Sequence, residues 1–286
     1  MRVGTRGSAL ALAQAGQVAT ALGGAELVPI TTTGDRGAGT DKERWVKEID
    51  AALLRGDVDV AVHSAKDVPA HLAEGLEIAA TPVRADPRDA LCGAASLDDL
   101  PAGARVGTSS LRREALLRAR RADLDVVALR GNVDTRLRRL EEDGLDAIVL
   151  AYAGLQRLGR EDSATAVLDP DAMVPAAGQG TLLVTARSGD GPTRARVAAI
   201  HDDATAAALA AERALVRALD ADCHTPVGAH AVPQGGGRLR LRAFVGRPDG
   251  GAWVRDELTG DDAEALGAEV ARRLLAGGAA EVLERR

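Results

Sequence analysis

The first half of the chain repeats one alternation: a short apolar run, a polar or glycine-containing turn, then apolar positions at helical spacing. Arg2–Thr5 reads as extended, Arg6–Ser8 as a turn, and Ala9–Leu22 as a helix that Ser8 is placed to cap. Leu27–Ile30 is the next predicted strand and Glu43–Leu54 a helix stopped by Gly56. Val58–Val62 is a strand that runs straight into His63-Ser64-Ala65-Lys66-Asp67-Val68-Pro69, where the proline ends regular structure. The pattern restarts after Pro101 with strand Arg105–Gly107, capping residues Thr108–Ser110 and helix Leu111–Arg121. Strand Val126–Leu129, turn Gly131-Asn132, helix Val133–Glu142 and strand Ala147–Ala151 follow.

Strands alternating with helices predict an α/β fold, mainly parallel sheets with helices on both faces. In such sheets ligands sit beyond the carboxyl ends of the strands, and the polar turns above all fall there. The pattern then changes. Asp203–Leu219 is an alanine-rich helix, followed by a loop holding Cys223, Pro226 and Gly228. Arg238–Val245 and Ala252–Leu258 form a predicted hairpin around Pro248-Asp249-Gly250-Gly251, and Ala263–Leu275 an amphipathic helix. The segment from residue 203 reads as a small α+β domain, and 286 residues suffice for two or three lobes.

Composition narrows the function. Trp45, Tyr152, Phe244 and Trp253 are the only aromatics and the net charge is −6, which argues against nucleic acid as a partner. No run approaches the roughly 18 apolar residues of a membrane span, and no charged-then-apolar leader is seen at the N-terminus. Cys92 and Cys223 are too few for a disulfide framework and lack metal-ligand spacing, so no metal and a cytoplasmic location are expected. All basic residues but Lys42, Lys47 and Lys66 are arginines. Genomic base bias accounts for that abundance, so position must decide which arginines matter.

Three turns concentrate polar groups at the predicted strand ends: Thr5-Arg6-Gly7-Ser8, Gly107-Thr108-Ser109-Ser110-Leu111-Arg112-Arg113 and Leu129-Arg130-Gly131-Asn132-Val133-Asp134-Thr135-Arg136. A helix start attracts anions through unpaired N–H groups and its dipole, and an arginine fork pairs a carboxylate or phosphate. Singly, each turn reads as capping; together they imply a ligand with several negative groups. None matches the glycine patterns of nucleotide-phosphate loops. Arg118, Arg120, Arg121, Arg138 and Arg139 read as solvated helix faces. Asp67, leaving a central strand beside Lys66, could stabilise a cation or move a proton, or form a structural ion pair. His63 and Cys92 read as packed. Cys223 could be a nucleophile, an attachment point or an inert buried thiol; His224, its neighbour, is badly placed to be its base.

These segments, with Val46-Lys47-Glu48-Ile49, Asp86-Pro87-Arg88-Asp89-Ala90, Pro175-Ala176-Ala177-Gly178-Gln179-Gly180 and Cys223–Gly228, resemble the porphobilinogen deaminase (hydroxymethylbilane synthase) family over nearly the whole chain. The resemblance implies two lobes like type II periplasmic binding proteins: residues 1–81 with 181–200, and residues 85–176, joined by crossing strands near 81–86 and 176–181. Residues 203–286 would carry the cofactor cysteine. It implies a dipyrromethane held by Cys223 through a thioether and contacted by Lys66, Asp67, Ser110, Arg112, Arg113, Arg130 and Gly131. Substrate carboxylates would meet Arg6, Ser8, Ser64, Arg130, Arg136 and Gln179. Asp67, with Lys66, would assist the joining of four porphobilinogens, each losing ammonia. A monomer in transient contact with the next enzyme of the pathway is expected. The rival reading, a non-catalytic binder of an acidic small molecule, leaves Cys223 and Lys66-Asp67 unexplained.

Some positions depart from the family's pattern. The stretch between Gly34 and Lys47 is shorter than the family's glycine-rich lid, with Lys42 in place of a family lysine and Trp45 where phenylalanine is usual. Ala221-Asp222 precede the cysteine where two glycines are common, and Asp134 replaces a small residue.

Overall fold

The computed structural model describes residues 1–35, 43–221 and 225–284; Lys42, Asp222, Cys223 and His224 lie outside them. Strand β1 (Arg2–Arg6) leads into helix α1 (Ala9–Ala21), whose first turn is closed by the Ser8 hydroxyl accepting from Ala11 N at 3.3 Å. Strand β2 (Glu26–Ile30) follows. The helix predicted over Glu43–Leu54 is divided into a 3₁₀ turn, Glu43–Trp45, and α2 (Lys47–Arg55), which ends on Gly56 at φ 79°. The break falls at Val46, which has no capping side chain, while Gly34 N takes the Arg44 carbonyl at 2.8 Å. Strand β3 (Val60–Ser64) and then β4 (Leu76–Ala80) complete this part of the chain.

The second set comprises β5 (Asp89–Cys92), β6 (Arg105–Thr108), α3 (Leu111–Arg120), β7 (Asp125–Ala128), α4 (Val133–Glu142), β8 (Ala147–Ala151), α5 (Tyr152–Arg157) and β9 (Ala166–Val167). The chain then returns as β10 (Leu182–Arg187) and α6 (Gly191–Val197). The first sheet has the order β2-β1-β3-β10-β4 and the second β7-β6-β8-β5-β9. Each combines parallel pairings (β1 with β2 and β3; β6 with β7 and β8) with antiparallel ones (β10 with β3 and β4; β5 with β8 and β9). The antiparallel pairings all involve strands that the periodic pattern does not mark. β5 and most of β10 are buried on both faces, so they lack the alternation that reveals a half-buried strand.

Each sheet has its own apolar core: Val3, Val60, Val62, Leu182 and Val184 in the first, Leu91, Val106, Leu116, Leu117 and Val149 in the second. The third unit contains α7 (Asp203–Ala218), β11 (Val227–Gly235), β12 (Arg238–Gly246), β13 (Trp253–Gly260), α8 (Ala263–Ala276) and α9 (Ala279–Glu284). The hairpin expected here is a three-stranded sheet. Residues 227 and 228, expected in a loop, open its first strand, where Ala229 N bonds the Pro175 carbonyl at 2.8 Å. Phe244, fully buried on β12, packs into the core of the second sheet and fixes the third unit to it.

The two segments expected as crossing strands do run between the sheets and touch each other, but neither forms a regular strand: residues 81–88 are irregular and residues 177–180 make a turn. Ala85 N bonds the Gly180 carbonyl at 3.2 Å, and a Cβ on Gly180 would lie 2.5 Å from the Ala85 carbonyl oxygen. With φ at 84°, that position needs glycine on conformational grounds as well. Glu212 of α7, wholly buried, gathers this region: it pairs with Arg84 at 2.6 Å and accepts from Gly178 N at 2.6 Å and Ala231 N at 2.8 Å. One carboxylate thus ties both crossing segments to the third sheet.

Glu212→Gln removes that charge and turns an amide toward donors already facing inward. We expect a loss of about 3–5 kcal/mol of stability, the range for breaking a buried ion pair, read as a lowered urea midpoint. A midpoint within error of the parent would show that Glu212 does not hold the crossing segments.

Candidate active site

The predicted polar turns meet where the fold places them, at the carboxyl ends of parallel strands. Arg6 ends β1, Lys66 and Asp67 follow β3, and Ser110 starts α3 after β6. The Ser110 hydroxyl accepts from Arg113 N at 3.4 Å, and Asn132 caps α4 by accepting from Thr135 N at 2.8 Å. A small cavity of about 30 Å³ is lined by Arg6, Gln14, Trp45, His63, Ser64 and Asp67. Charges from the second sheet reach it: the Lys66 amine feels Arg113, Asp89 and Arg112, and the Arg136 guanidinium feels Arg113 and Asp67.

The ionic groups fall into two sets. In the first, Asp89 is wholly buried and receives Arg112 Nη1 at 2.8 Å, Arg113 Nη2 at 2.8 Å and Gln179 Nε2 at 2.8 Å. Arg112 also bonds the Val174 carbonyl at 2.7 Å and Arg113 the Val149 carbonyl at 2.9 Å. Burial works to raise the Asp89 carboxyl, but the two guanidinium groups outweigh it and hold it well below the usual carboxylate range. Gln179, expected on the substrate, is only 1 % exposed and donates as well to the Pro87 carbonyl at 2.7 Å. It stands behind the arginines rather than on the cavity surface.

The second set is uncommitted. Among the described residues, Asp67 and Lys66 have no hydrogen-bond partner, and Arg136 Nε is buried without one. Arg112 Nε is likewise a buried donor with nothing to meet. Burial, opposed by the Asp67 charge, lowers the Lys66 amine to about 8, and burial lowers Arg136 to about 10. Arg130 and Gly131 are exposed at the end of β7. Buried donors lacking partners are costly, so these groups fit a ligand that brings carboxylates. The acidic side chains of a dipyrromethane are of that kind; its expected attachment point, Cys223, lies outside the described residues.

Other expectations resolve simply. His63 is packed against Thr185, and burial followed by the Arg6 charge lowers it to about 4, so it is neutral at neutral pH. Cys92 is buried, which pushes its thiol up to about 11. Asp134, exposed, pairs with Arg160 at 3.3 Å. Arg120 is a solvated helix arginine paired with Asp98, whereas Arg118 and Arg121 also reach backbone carbonyls. Asp89, Gln14 and Asp35, which bonds Arg6, were given no role by the sequence. A signal existed for Asp89, a charge leading the apolar run Ala90-Leu91-Cys92.

Comparison with known proteins matches a family model described as "Porphobilinogen deaminase, dipyromethane cofactor binding domain" over residues 1–195. A second, "Porphobilinogen deaminase, C-terminal domain", matches residues 206–276. A porphobilinogen deaminase of Rubrobacter xylanophilus is 48% identical over 98% of this chain and 95% of its own length. One of Trichlorobacter lovleyi is 45% identical over 99% of this chain and 96% of its own. Among solved structures, a nutrient binding protein from Burkholderia cenocepacia bound to methionine covers 71% of this chain and 92% of its own, at 17% identity and a TM-score of 0.44. No described helix is long and apolar enough to cross a membrane.

With only three lysines in the chain, the state of Lys66 can be read by competitive amine labelling. Its unprotonated fraction should rise with a midpoint near pH 8, whereas an ordinary lysine with pKa ~10.4 is almost fully protonated there. Because Asp67 favours the charged form, Asp67→Asn should move the midpoint lower. A wild-type midpoint above 10 would contradict the burial inferred for this amine.

Proposed function

The chain belongs to the porphobilinogen deaminase family, and from that we infer that it joins four porphobilinogens head to tail, releasing ammonia, to give linear hydroxymethylbilane. It is an enzyme of tetrapyrrole synthesis, and the bond it makes would class it as a transferase. The observation that carries the mechanism is an uncommitted pair: a carboxylate, Asp67, in the cavity wall, and the neighbouring amine of Lys66, which feels its charge, with unpaired arginine donors close by. The ionic groups of a merely structural turn would be paired.

Lys66, Ser110, Arg112, Arg113, Arg130 and Gly131 would hold the acidic side chains of the dipyrromethane, with Asp67 near its pyrrole nitrogens and Cys223 as the thioether anchor. Bound there, the group supplies a pyrrole carbon that acts as nucleophile. Arg112 has its buried Nε to offer; Arg113, engaged by Asp89, Val149 and Gln179, contributes mainly charge. Arg6, Ser8, Ser64, Arg130 and Arg136 would receive the carboxylates of the incoming porphobilinogen. Gln179 would act indirectly, by fixing Asp89.

As ammonia leaves, positive charge develops on the substrate pyrrole. Asp67 is carried on a short 3₁₀ turn directly after β3, so its backbone is set in place, and its unpaired carboxylate would be free to meet that charge. Lys66 is half-buried beside it, and the Asp67 charge favours the ammonium form of that amine. Arginines on the opposite sheet neutralise substrate carboxylates that would otherwise repel Asp67. A monomer in the cytoplasm, in transient contact with the enzyme that consumes the product, completes this reading.

Asp67→Asn should lower kcat by about 10²–10³, the scale for removing one preorganised electrostatic group, while intact mass shows the cofactor still bound. Unchanged turnover would take Asp67 out of the mechanism. Intact mass also tests the anchor: wild type should exceed the bare chain by one dipyrromethane, and Cys223→Ala should not. A bare wild-type chain from cells that make porphobilinogen would count against the assignment.

A further inference from the structure

Arg6 is held on two sides by groups outside the expected substrate set. Its Nε and Nη2 both donate to Asp35 Oδ1, at 3.1 and 2.5 Å. Its guanidinium carbon lies 3.9 Å from the centre of the Trp45 ring, and a second arginine, Arg44, lies 4.6 Å from that ring. The indole is itself pinned, because a Cβ on Gly34 would fall 2.2 Å from it. No side chain larger than glycine fits there.

Asp35 is equally constrained. Its Oδ2 accepts from Thr32 N at 3.1 Å and Thr32 Oγ1 at 2.8 Å, while its own N–H reaches Thr32 Oγ1 at 3.3 Å. The next residue, Thr33, bonds Glu48 on α2 through its N–H at 3.1 Å and through its hydroxyl. Burial works to raise the Asp35 carboxyl, but Arg6 and Thr32 outweigh it and keep it ionised. One carboxylate oxygen therefore serves Arg6 and the other serves the turn.

We propose that Asp35 and Trp45 form a clamp that positions Arg6 for a carboxylate of the incoming substrate, with Asp35 as a positioning residue for the reaction. A guanidinium has five N–H donors. The contact with Asp35 uses its Nε edge and leaves the Nη1 side unpaired among the described residues, on a group that lines the cavity. The aromatic face blocks rotation out of plane, a cation–π contact that adds attraction to the restraint. The alternative, Asp35 as a stand-in that the substrate displaces, requires the carboxylate to swing away. Its bonds to Thr32 oppose that. An arginine whose orientation is already fixed loses less freedom when the substrate arrives, so the clamp lowers the cost of binding.

The proposal rests on Arg6 being a substrate residue, so the experiment tests the two separately in cofactor-loaded enzyme, using porphobilinogen. Asp35→Asn keeps the shape and bonds to Thr32 but removes the charge that holds Arg6. We expect KM to rise five- to tenfold with kcat changed less than twofold. Arg6→Lys should also raise KM, and adding Asp35→Asn to Arg6→Lys should raise it little further, because Asp35 acts through Arg6. In a Trp253→Phe background, where Trp45 is the only tryptophan, Asp35→Asn should change its emission as the cation over the ring is released. An unchanged or lower KM in Asp35→Asn overturns the clamp and identifies Asp35 as a competitor for Arg6. If Arg6→Lys itself leaves KM unaltered, the substrate role of Arg6 fails, whatever Asp35 does. Fully additive effects would show that Asp35 acts independently of Arg6.

Discussion

Buried cations held side by side repel one another, and Asp89 is what lets Arg112 and Arg113 be neighbours. It is buried at the start of a central strand, where solvent cannot screen the pair, and it takes donors from both guanidinium groups. Without it, two buried positive charges would face each other across a low-dielectric wall, an arrangement the fold could not hold. With it, the wall keeps an excess of positive charge and a fixed geometry. Gln179 on the second crossing segment completes this support, so the route of the chain between the sheets and the electrostatics of the cavity are one structure.

The same economy governs the junction with the third sheet. Glu212 has one charge and serves an arginine on one crossing segment, a backbone N–H on the other and a third on β11. A carboxylate can do this because it accepts on both oxygens from several directions, whereas an apolar contact would leave the backbone N–H groups buried and unmet. The unit expected to carry the cofactor is in this way tied to both segments that run between the two sheets.

What the sequence disclosed depended on exposure. Helices with one wet face, such as α1, α4 and α8, and strands that end in polar turns, such as β1 and β6, announce themselves by period and by caps. Ser8, Ser110 and Asn132 sit where the pattern puts them. The doubly buried β5 and β10 do not, since a continuous apolar run has no period to read. Among chemical groups, the polar and charged residues of the three turns were legible, while the groups that support them were not. Asp89 and Asp35 act through contacts over 23 and 29 residues of sequence, which no local motif encodes. Gln179 was legible as a member of a motif but not as a group that works from behind.

The first sheet contains a strand that the chain supplies last. β10 lies between β3 and β4, yet its residues follow the whole of the second sheet. During synthesis the ribosome therefore delivers β1 to β4 well before their central partner, and the edges of β3 and β4 stay open until residue 187 has emerged. The second sheet, contiguous from β5 to β9, can close first. Long-range antiparallel pairing of this kind is slow to find, and unpaired edges are prone to join other chains. The nascent first lobe is thus the stage of biogenesis at which this protein has most need of a chaperone.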